Sequence, residues 1–239
     1  MSAPLFVWLG AGRARRRGVA DAGLVLLDRA AQAGLPVPAG AILLDEFFRF
    51  ALEKSLAEWA GDRILIPDVE LWHNTLLYSV RLPRFEQPIL VRSAGQQAGA
   101  LDLAARPVDF ADPDAAARAV AAAWSSPGLF SAGRRDTLLL EQVPVEIAGT
   151  VTLHDGRTTD TVWLRGAEAR GEAIELPRLA GWNRPDASLP AYARRLQQLL
   201  RGARRTFGQG EWRVAWGDDG RLCWLLGVNS AGIGSGSPA

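Results

Sequence analysis

The segment GAGRARRRG carries the densest group of chemically active side chains, with Arg13, Arg15, Arg16 and Arg17 directly after a short apolar run. Guanidinium groups bind phosphate through paired N–H donors. The segment therefore predicts either a phosphate-binding loop or the solvated surface that a run of like charges usually forms. Lys54 is the only lysine of the chain, so arginine would have to be the cation of such a site.

The other reactive residue types do not form a recognisable centre. Cys223 is the only cysteine, which excludes an internal disulfide, and its apolar surroundings indicate an inert core residue. His73 and His154 are far apart and lack zinc-type spacing. No Ser-His-Asp arrangement or paired-carboxylate spacing stands out. The sequence predicts neither a structural metal nor a nucleophilic centre.

The composition is that of a globular protein without a global electrostatic preference. The chain has 239 residues, 48% of them hydrophobic and 22% charged, and a formal net charge of +1. This balance does not attract nucleic acid or anionic membranes. No apolar run approaches membrane-spanning length, and the first apolar residues precede the arginines, which reverses the order of a secretory signal. We expect a cytoplasmic protein that contacts neither membrane nor nucleic acid.

A strand, a loop and a helix must position the arginines. PLFVWL predicts the strand, and the apolar spacing after an N-cap at Asp21 predicts a helix that ends at Gly34. AGAILL resumes as a strand and completes a β-α-β start. The same half holds further predicted elements: helices from about Asp45 to Trp59 and from Pro67 to Val80, a buried strand in QPILVRSA, and a helix in DPDAAARAVAAAWSS.

From residue 137 the hydrophobic pattern changes to alternation. TLLLEQVPV, GTVTLH and DTVWL predict consecutive antiparallel strands, with a turn at residues 154–156. A helix is predicted over residues 190–207. A last hairpin follows, and Asp218 and Asp219 are interpreted as its ordinary turn residues.

Six segments resemble, in the same order, the nucleotide-binding domain of the phosphoenolpyruvate synthase and pyruvate phosphate dikinase family. They are GLPVPAG, VRSA, AVAAAWSSPGLFS, LLLEQVPVEIAGTVTL, TVWLRGAEARGEAIEL and EWRVAWGDDGRLCWLLGV. The resemblance implies an α+β, ATP-grasp-like fold with mainly antiparallel sheets flanked by helices. Its two subdomains would cover residues 1–135 and 136–230, followed by a flexible tail over residues 231–239.

The resemblance also implies an adenine-nucleotide site, with ATP or ADP as the ligand. Arg92 in VRSA matches the arginine that the family uses on the nucleotide phosphates, and Arg17 stands near the family's phosphate loop. Gln142 and Val143 match the segment that links the halves, where ATP-grasp proteins hold adenine. Glu172 stands in place of the family's G-L-G-E loop. A structural salt bridge for Arg92 and solvent-exposed positions for Gln142 and Glu172 are the alternatives.

The chain departs from the family pattern where phosphate and metal chemistry would occur. The family's loop lysine falls on Gly23, while a glutamate, a glutamine and an arginine of the last hairpin fall on Ala215, Leu226 and Val228. Magnesium requires oxygen ligands, so the sequence disfavours it. The resemblance thus implies a non-catalytic module that senses a nucleotide or binds a protein partner. The alternatives are an active ATP-dependent phosphotransferase with a rearranged site, one part of a split enzyme, and an anion- or nucleic-acid-binding protein that uses the arginine loop.

Overall fold

The strands and helices of the chain are arranged in two units in the computed structural model, which describes residues 4–82, 85–94, 107–126, 133–165, 173–181 and 183–230. Within these residues, the first unit comprises 4–25, 39–82, 85–94, 107–126 and 133–142. The second unit comprises 26–38, 143–165, 173–181 and 183–230.

The first unit contains an antiparallel sheet with strand order β1-β2-β6-β5, a small β3-β4 hairpin, and helices. Its elements are β1 (Phe6–Trp8), β2 (Gly40–Leu43), α2 (Asp45–Glu53), β3 (Glu58–Ala60), β4 (Arg63–Leu65), α3 (Val69–Asn74), β5 (Ile89–Ser93), α4 (Pro113–Trp124) and β6 (Thr137–Glu141). Helix α1 (Ala22–Gln32) begins in the first unit and continues in the second. A π-helical turn, Thr75–Ser79, follows α3 directly.

The second unit contains an antiparallel sheet with strand order β11-β10-β7-β8-β9 and one long helix. Its elements are β7 (Ile147–Leu153), β8 (Thr159–Leu164), β9 (Ile174–Pro177), α5 (Ala191–Phe207), β10 (Trp212–Asp218) and β11 (Cys223–Ser230). The ladder pairings between the named strands of both units are antiparallel. The α+β class with antiparallel sheets and flanking helices is thereby confirmed. None of the helices in the described ranges has the length and apolar character needed to cross a membrane.

Local side chains fix the ends of several helices where the sequence predicted them. Asp21 accepts a hydrogen bond from the amide of Leu24 at 2.8 Å and so caps the start of α1. Asp112 accepts hydrogen bonds from the amides of Asp114 and Ala115 and caps α4 in the same way. Gly208 follows the last residue of α5 with a φ of 84°, which a residue with a side chain rarely adopts. The two helix starts are confirmed, because short polar side chains satisfy the first free amides of each helix. The stop is confirmed because glycine readily adopts a positive φ.

Two features differ from the predictions. The helix expected to reach Trp59 ends at Glu53, because the chain turns at Ser55, which has a φ of 55°. Trp59 then lies in β3 and pairs with Ile64. Strand β6, expected to open the second half, instead pairs between β2 and β5 in the sheet of the first unit. Alternation shows that a segment is extended but does not identify the strand beside it.

The core of the first unit lies on one face of its sheet. Phe47, Trp72 and Trp124 are fully buried there, and the ring of Phe47 lies about 6 Å from each of the two tryptophan rings in a tilted arrangement. The other face of the sheet carries a row of directly paired residues, Val7, Ile42, Leu138 and Arg92, one from each strand. This second face thus carries one charged residue in a row of apolar ones.

Candidate functional site

The arginine loop has a defined backbone in the first unit. Residues Arg15–Arg17 form a 3₁₀ turn, in which the amide of Arg17 donates to the carbonyl oxygen of Arg13. Gly18 ends the turn with a φ of 70°. Ala14 and Val19 are buried, whereas Arg13 and the arginines of the turn are exposed. The loop therefore presents several guanidinium groups to solvent from a defined backbone turn.

A buried carboxylate holds the end of this loop. Asp136 is 0% exposed and accepts hydrogen bonds from the amides of Ala20 at 3.3 Å and Asp45 at 3.0 Å. It also accepts two from Arg134, at 3.2 and 3.1 Å. One side chain thus connects the loop, the start of α2 and the residues before β6.

Arg134 joins Asp136 to a second carboxylate. It donates to both oxygens of Glu46, at 3.4 and 3.0 Å. The hydrogen bonds that Arg134 donates to Asp136 outweigh the cost of burial and, together with those to Glu46, raise the pKa of Arg134. Burial alone would raise the pKa of Glu46, but the hydrogen bond and charge of Arg134 hold it below its ordinary value. Both groups therefore stay charged near neutral pH.

The lowered pKa of Glu46 predicts a dependence of stability on pH. A carboxyl group with a depressed folded-state pKa stabilises the fold above its ordinary value, here 4.5, and loses that contribution as the pH falls through its folded-state pKa. Glu46→Gln should therefore lower the urea midpoint near neutral pH and have a vanishing effect well below pH 4.5. Glu53→Gln, an exposed carboxylate of the same helix, is the control. A difference between wild type and Glu46→Gln that stays constant with pH would contradict the prediction.

Arg92 lies at the end of the row on the second face of the sheet. It pairs with Leu138, which is fully buried, and is itself half-buried. Burial lowers the pKa of Arg92, and the negative charge of Asp21 opposes that shift. Asp21 is four residues beyond Arg17, so the two backbones are at most about 14 Å apart. The structure thus brings Arg92 and the arginine loop to one region of the first unit, linked by Asp21.

The positions of the other predicted site residues neither support nor exclude a binding role. The amide of Gln142 donates to the carbonyl oxygen of Pro88 at 2.7 Å, and the side chain of Gln142 is exposed. Val143, half-buried, begins the second unit. Glu172 lies outside the described residues. The roles proposed for these residues in binding adenine stay predictions.

Ala215, which the sequence resemblance aligned with a glutamate, lies in β10 of the second unit. It is fully buried and pairs with Gly227 of β11 and Thr150 of β7. Its methyl group cannot coordinate a cation. Among the described residues, no three His, Cys, Asp or Glu side chains are grouped so that they could hold a metal ion.

The other two apolar positions, Leu226 and Val228, lie in β11 at and beside a β-bulge. Ala215 pairs with Gly227 and the next residue, Trp216, pairs with Leu225, so Leu226 is the extra residue. Val228 pairs with Val214, on the side of the sheet where α5 lies. Leu226 is on the opposite side, since a Cβ at Gly217 would lie 3.2 Å from its Cδ1.

A buried ion pair corrects the interpretation of Asp218 as a turn residue. Asp218 is the last residue of β10, is 1% exposed, and accepts hydrogen bonds from Nε and a terminal nitrogen of Arg195, at 2.7 and 2.6 Å. Asp219 is the turn residue and accepts hydrogen bonds from the amides of Arg221 and Leu222. A charged residue at the end of an apolar strand was the available signal, but its partner lies more than twenty positions away.

Cys223 and His154 are two further reactive side chains named from the sequence. Burial raises the pKa of the Cys223 thiol far above its ordinary value, so the reactive thiolate is disfavoured. His154 lies within hydrogen-bonding distance of Glu211, at 3.4 Å, and of Thr161, at 3.1 Å. Thr161 in turn donates to Glu175 at 3.0 Å. Sequence spacing did not reveal this chain of hydrogen bonds, because four separate segments of the chain contribute to it.

Comparisons with known proteins give structural matches only. No protein-family model matches the chain, and no curated protein matches it. The D-alanine–D-alanine ligase from Bacillus anthracis, solved in complex with ATP, is similar with a TM-score of 0.47 and 13% identity over 90% of this chain and 54% of the ligase. The D-alanine–D-alanine ligase from Helicobacter pylori has a TM-score of 0.48 and 12% identity over 84% of this chain and 51% of the ligase.

A RimK domain ATP-grasp protein from Sphaerobacter thermophilus is similar with a TM-score of 0.42 and 15% identity, over 87% of this chain and 58% of that protein. The chain spans about half the length of the solved structures it matches. With TM-scores below 0.5, the function has to be argued from the residues of the chain itself.

Proposed function

We propose that the chain is an ATP-grasp-like module, related to the phosphoenolpyruvate synthase and pyruvate phosphate dikinase family, that binds an adenine nucleotide without transferring its phosphate. The observation that carries the proposal is Arg92, a cation on an otherwise apolar face of the sheet. Burial lowers the pKa of Arg92 and the negative charge of Asp21 opposes that shift, so negative charge nearby stabilises this guanidinium group. A bound phosphate would add to that stabilisation.

The arginine loop supplies the second part of the proposed site. Its exposed guanidinium groups are held in a fixed turn, and Asp136 anchors the end of the loop through Ala20. A polyphosphate carries several negative charges and suits cations that approach it from two directions, here Arg92 and Arg17. A solvated surface remains the competing interpretation of the loop, and a binding measurement separates the two.

The residues of the last hairpin do not fit a magnesium ion at the positions where the family resemblance would put its ligands. Ala215, Leu226 and Val228 offer only carbon atoms in their side chains, and magnesium requires oxygen. Phosphoryl transfer depends on metal and cations that neutralise the developing charge. The proposed role is therefore nucleotide sensing, with a protein partner as the reader of the bound state.

Isothermal titration with ATP, ADP and AMP, each with and without magnesium, tests the proposal. Wild type should bind ATP more tightly than AMP, and Arg92→Met should weaken ATP binding by about tenfold or more, because a hydrogen bond to a charged group is lost. Arg118→Met, an exposed arginine of α4, should leave the affinity unchanged. Absence of binding at millimolar ATP would refute nucleotide binding. Magnesium-dependent ATP hydrolysis or phosphoryl transfer would instead support the active phosphotransferase.

A further inference from the structure

A cavity of about 340 Å³ lies in the first unit, on the side of α3 and the start of α4. Three aromatic rings and a histidine line it: Tyr78, Phe85, Phe110 and His73. Its volume is in the range of pockets that hold small molecules, about 300–1,000 Å³. None of its lining residues belongs to the proposed phosphate site, so the two sites can be tested independently.

The aromatic wall of the cavity is rigid. Phe85 and Phe110 pack edge to face with ring centroids 5.6 Å apart, and Phe85 also contacts Trp8 at 6.1 Å. The turn that carries Phe110 is fixed by Asp109, whose side chain accepts a hydrogen bond from the amide of Ala111. Phe110 is 5% exposed and Phe85 is half-buried, so neighbouring side chains hold both rings in place.

The π-helical turn Thr75–Ser79 forms the outer wall. It places Leu77 and Tyr78 at the cavity, and Tyr78 is 67% exposed. Single π-helical turns are rare and occur frequently at functional sites, because they cost stability that a regular α-helix would keep. An exposed tyrosine at the mouth of an aromatic cavity offers a flat surface for stacking.

His73 supplies the polar group of the cavity. It is 6% exposed, and its Nε2 lies 2.9 Å from the carbonyl oxygen of Phe110. A carbonyl oxygen only accepts, so Nε2 must carry the proton, and Nδ1 of the neutral ring is left as an acceptor. No hydrogen bond to Nδ1 is formed by the part of the chain that the structure describes.

We propose that this cavity binds a small neutral aromatic molecule with an N–H or O–H donor, such as an indole or a phenol. The ring stacks against Tyr78, Phe85 and Phe110, and the donor bonds to Nδ1 of His73. Aromatic walls with one placed polar group are typical of small-molecule sites, since the walls supply affinity and the polar group supplies orientation.

Saturation-transfer NMR titrations with indole and with N-methylindole, which has the same ring system but no N–H, test the proposal. Wild type should bind indole about fivefold more tightly than N-methylindole, the typical contribution of one neutral hydrogen bond. His73→Gln keeps an amide donor for Phe110 but has no acceptor at the Nδ1 position, so the preference should disappear. Tyr78→Ala should weaken both probes by a similar factor.

Leu71→Ala is the control, because Leu71 is an exposed apolar residue of α3 outside the cavity lining. It should leave both affinities unchanged. If His73→Gln does not fold, Tyr78→Ala and the probe preference of wild type still decide the matter, since Tyr78 is largely exposed. No binding of either probe at millimolar concentration, equal binding of both by wild type, or unchanged binding by Tyr78→Ala would overturn the proposal.

Discussion

Replacing Asp136 by alanine is expected to lower the free energy of unfolding by about 3–5 kcal/mol, the range for removing one partner of a buried ion pair. The substitution leaves Arg134 without its buried partner and the amides of Ala20 and Asp45 without acceptors. These groups belong to the arginine loop, to the start of α2 and to the residues before β6. We therefore expect the first unit as a whole to be destabilised. Urea unfolding followed by hydrogen exchange and mass spectrometry would measure the loss for each unit.

A matched control for this prediction is Glu53→Ala. Glu53 is a carboxylate with a 72% exposed side chain that pairs only with its neighbour Lys54 in the described structure, and surface pairs contribute little. The control should change stability by about 0.5 kcal/mol or less. Equal stability of Asp136→Ala and Glu53→Ala would show that Asp136 does not hold the first unit together. Faster exchange of the Ala20 and Asp45 amides alone would indicate a local role.

Replacing Arg195 by methionine should destabilise the second unit by a similar amount, about 3–5 kcal/mol. Asp218 is 1% exposed, and its carboxylate would keep, of its hydrogen bonds in the described structure, only that from the amide of Gly220. Methionine preserves helix propensity and most of the side-chain volume, so the loss would report the uncompensated carboxylate. Asp218 also raises the pKa of Arg195, which agrees with a strong charge-assisted pair.

The control for the second unit is Arg205→Met. Arg205 is exposed on the same helix, so its replacement tests the arginine-to-methionine change without a buried partner. We expect a change within about 0.5 kcal/mol. A loss in Arg195→Met no larger than this would mean that the carboxylate of Asp218 is relieved by water or by rearrangement of the hairpin. The same unfolding experiment measures both variants.

The sequence predicted the elements well where the signal is local. The cap at Asp112, the start of α1 at Asp21 and the stop at Gly208 depend on the nearest residues, and each was confirmed. The end of α2 was wrong, because the apolar residues Leu56 and Trp59 continue the helical spacing although the backbone has already turned at Ser55. Leu56 is buried in the core even so, which explains why its position carried the pattern.

The candidate site was predicted only in part, because its charges act between distant segments. Arg92 and the arginine loop could be named from residue types and from a family resemblance. Asp136 could not, since it bonds to groups 116 and 91 positions away. The partnership of Arg195 and Asp218 spans 23 positions and depends on how α5 lies across the sheet. Hydrophobic periodicity contains no information about such pairs.

The bulge at Leu226 limits which side chains of the last hairpin could be combined in one engineered binding site. In a regular strand, residues 226 and 228 would point the same way, but the extra residue in β11 directs them to opposite sides of the sheet. Polar side chains introduced at both positions would therefore not converge on one ligand. A binding site that uses side chains at both positions would therefore require the removal of one residue from β11 as well as the substitutions.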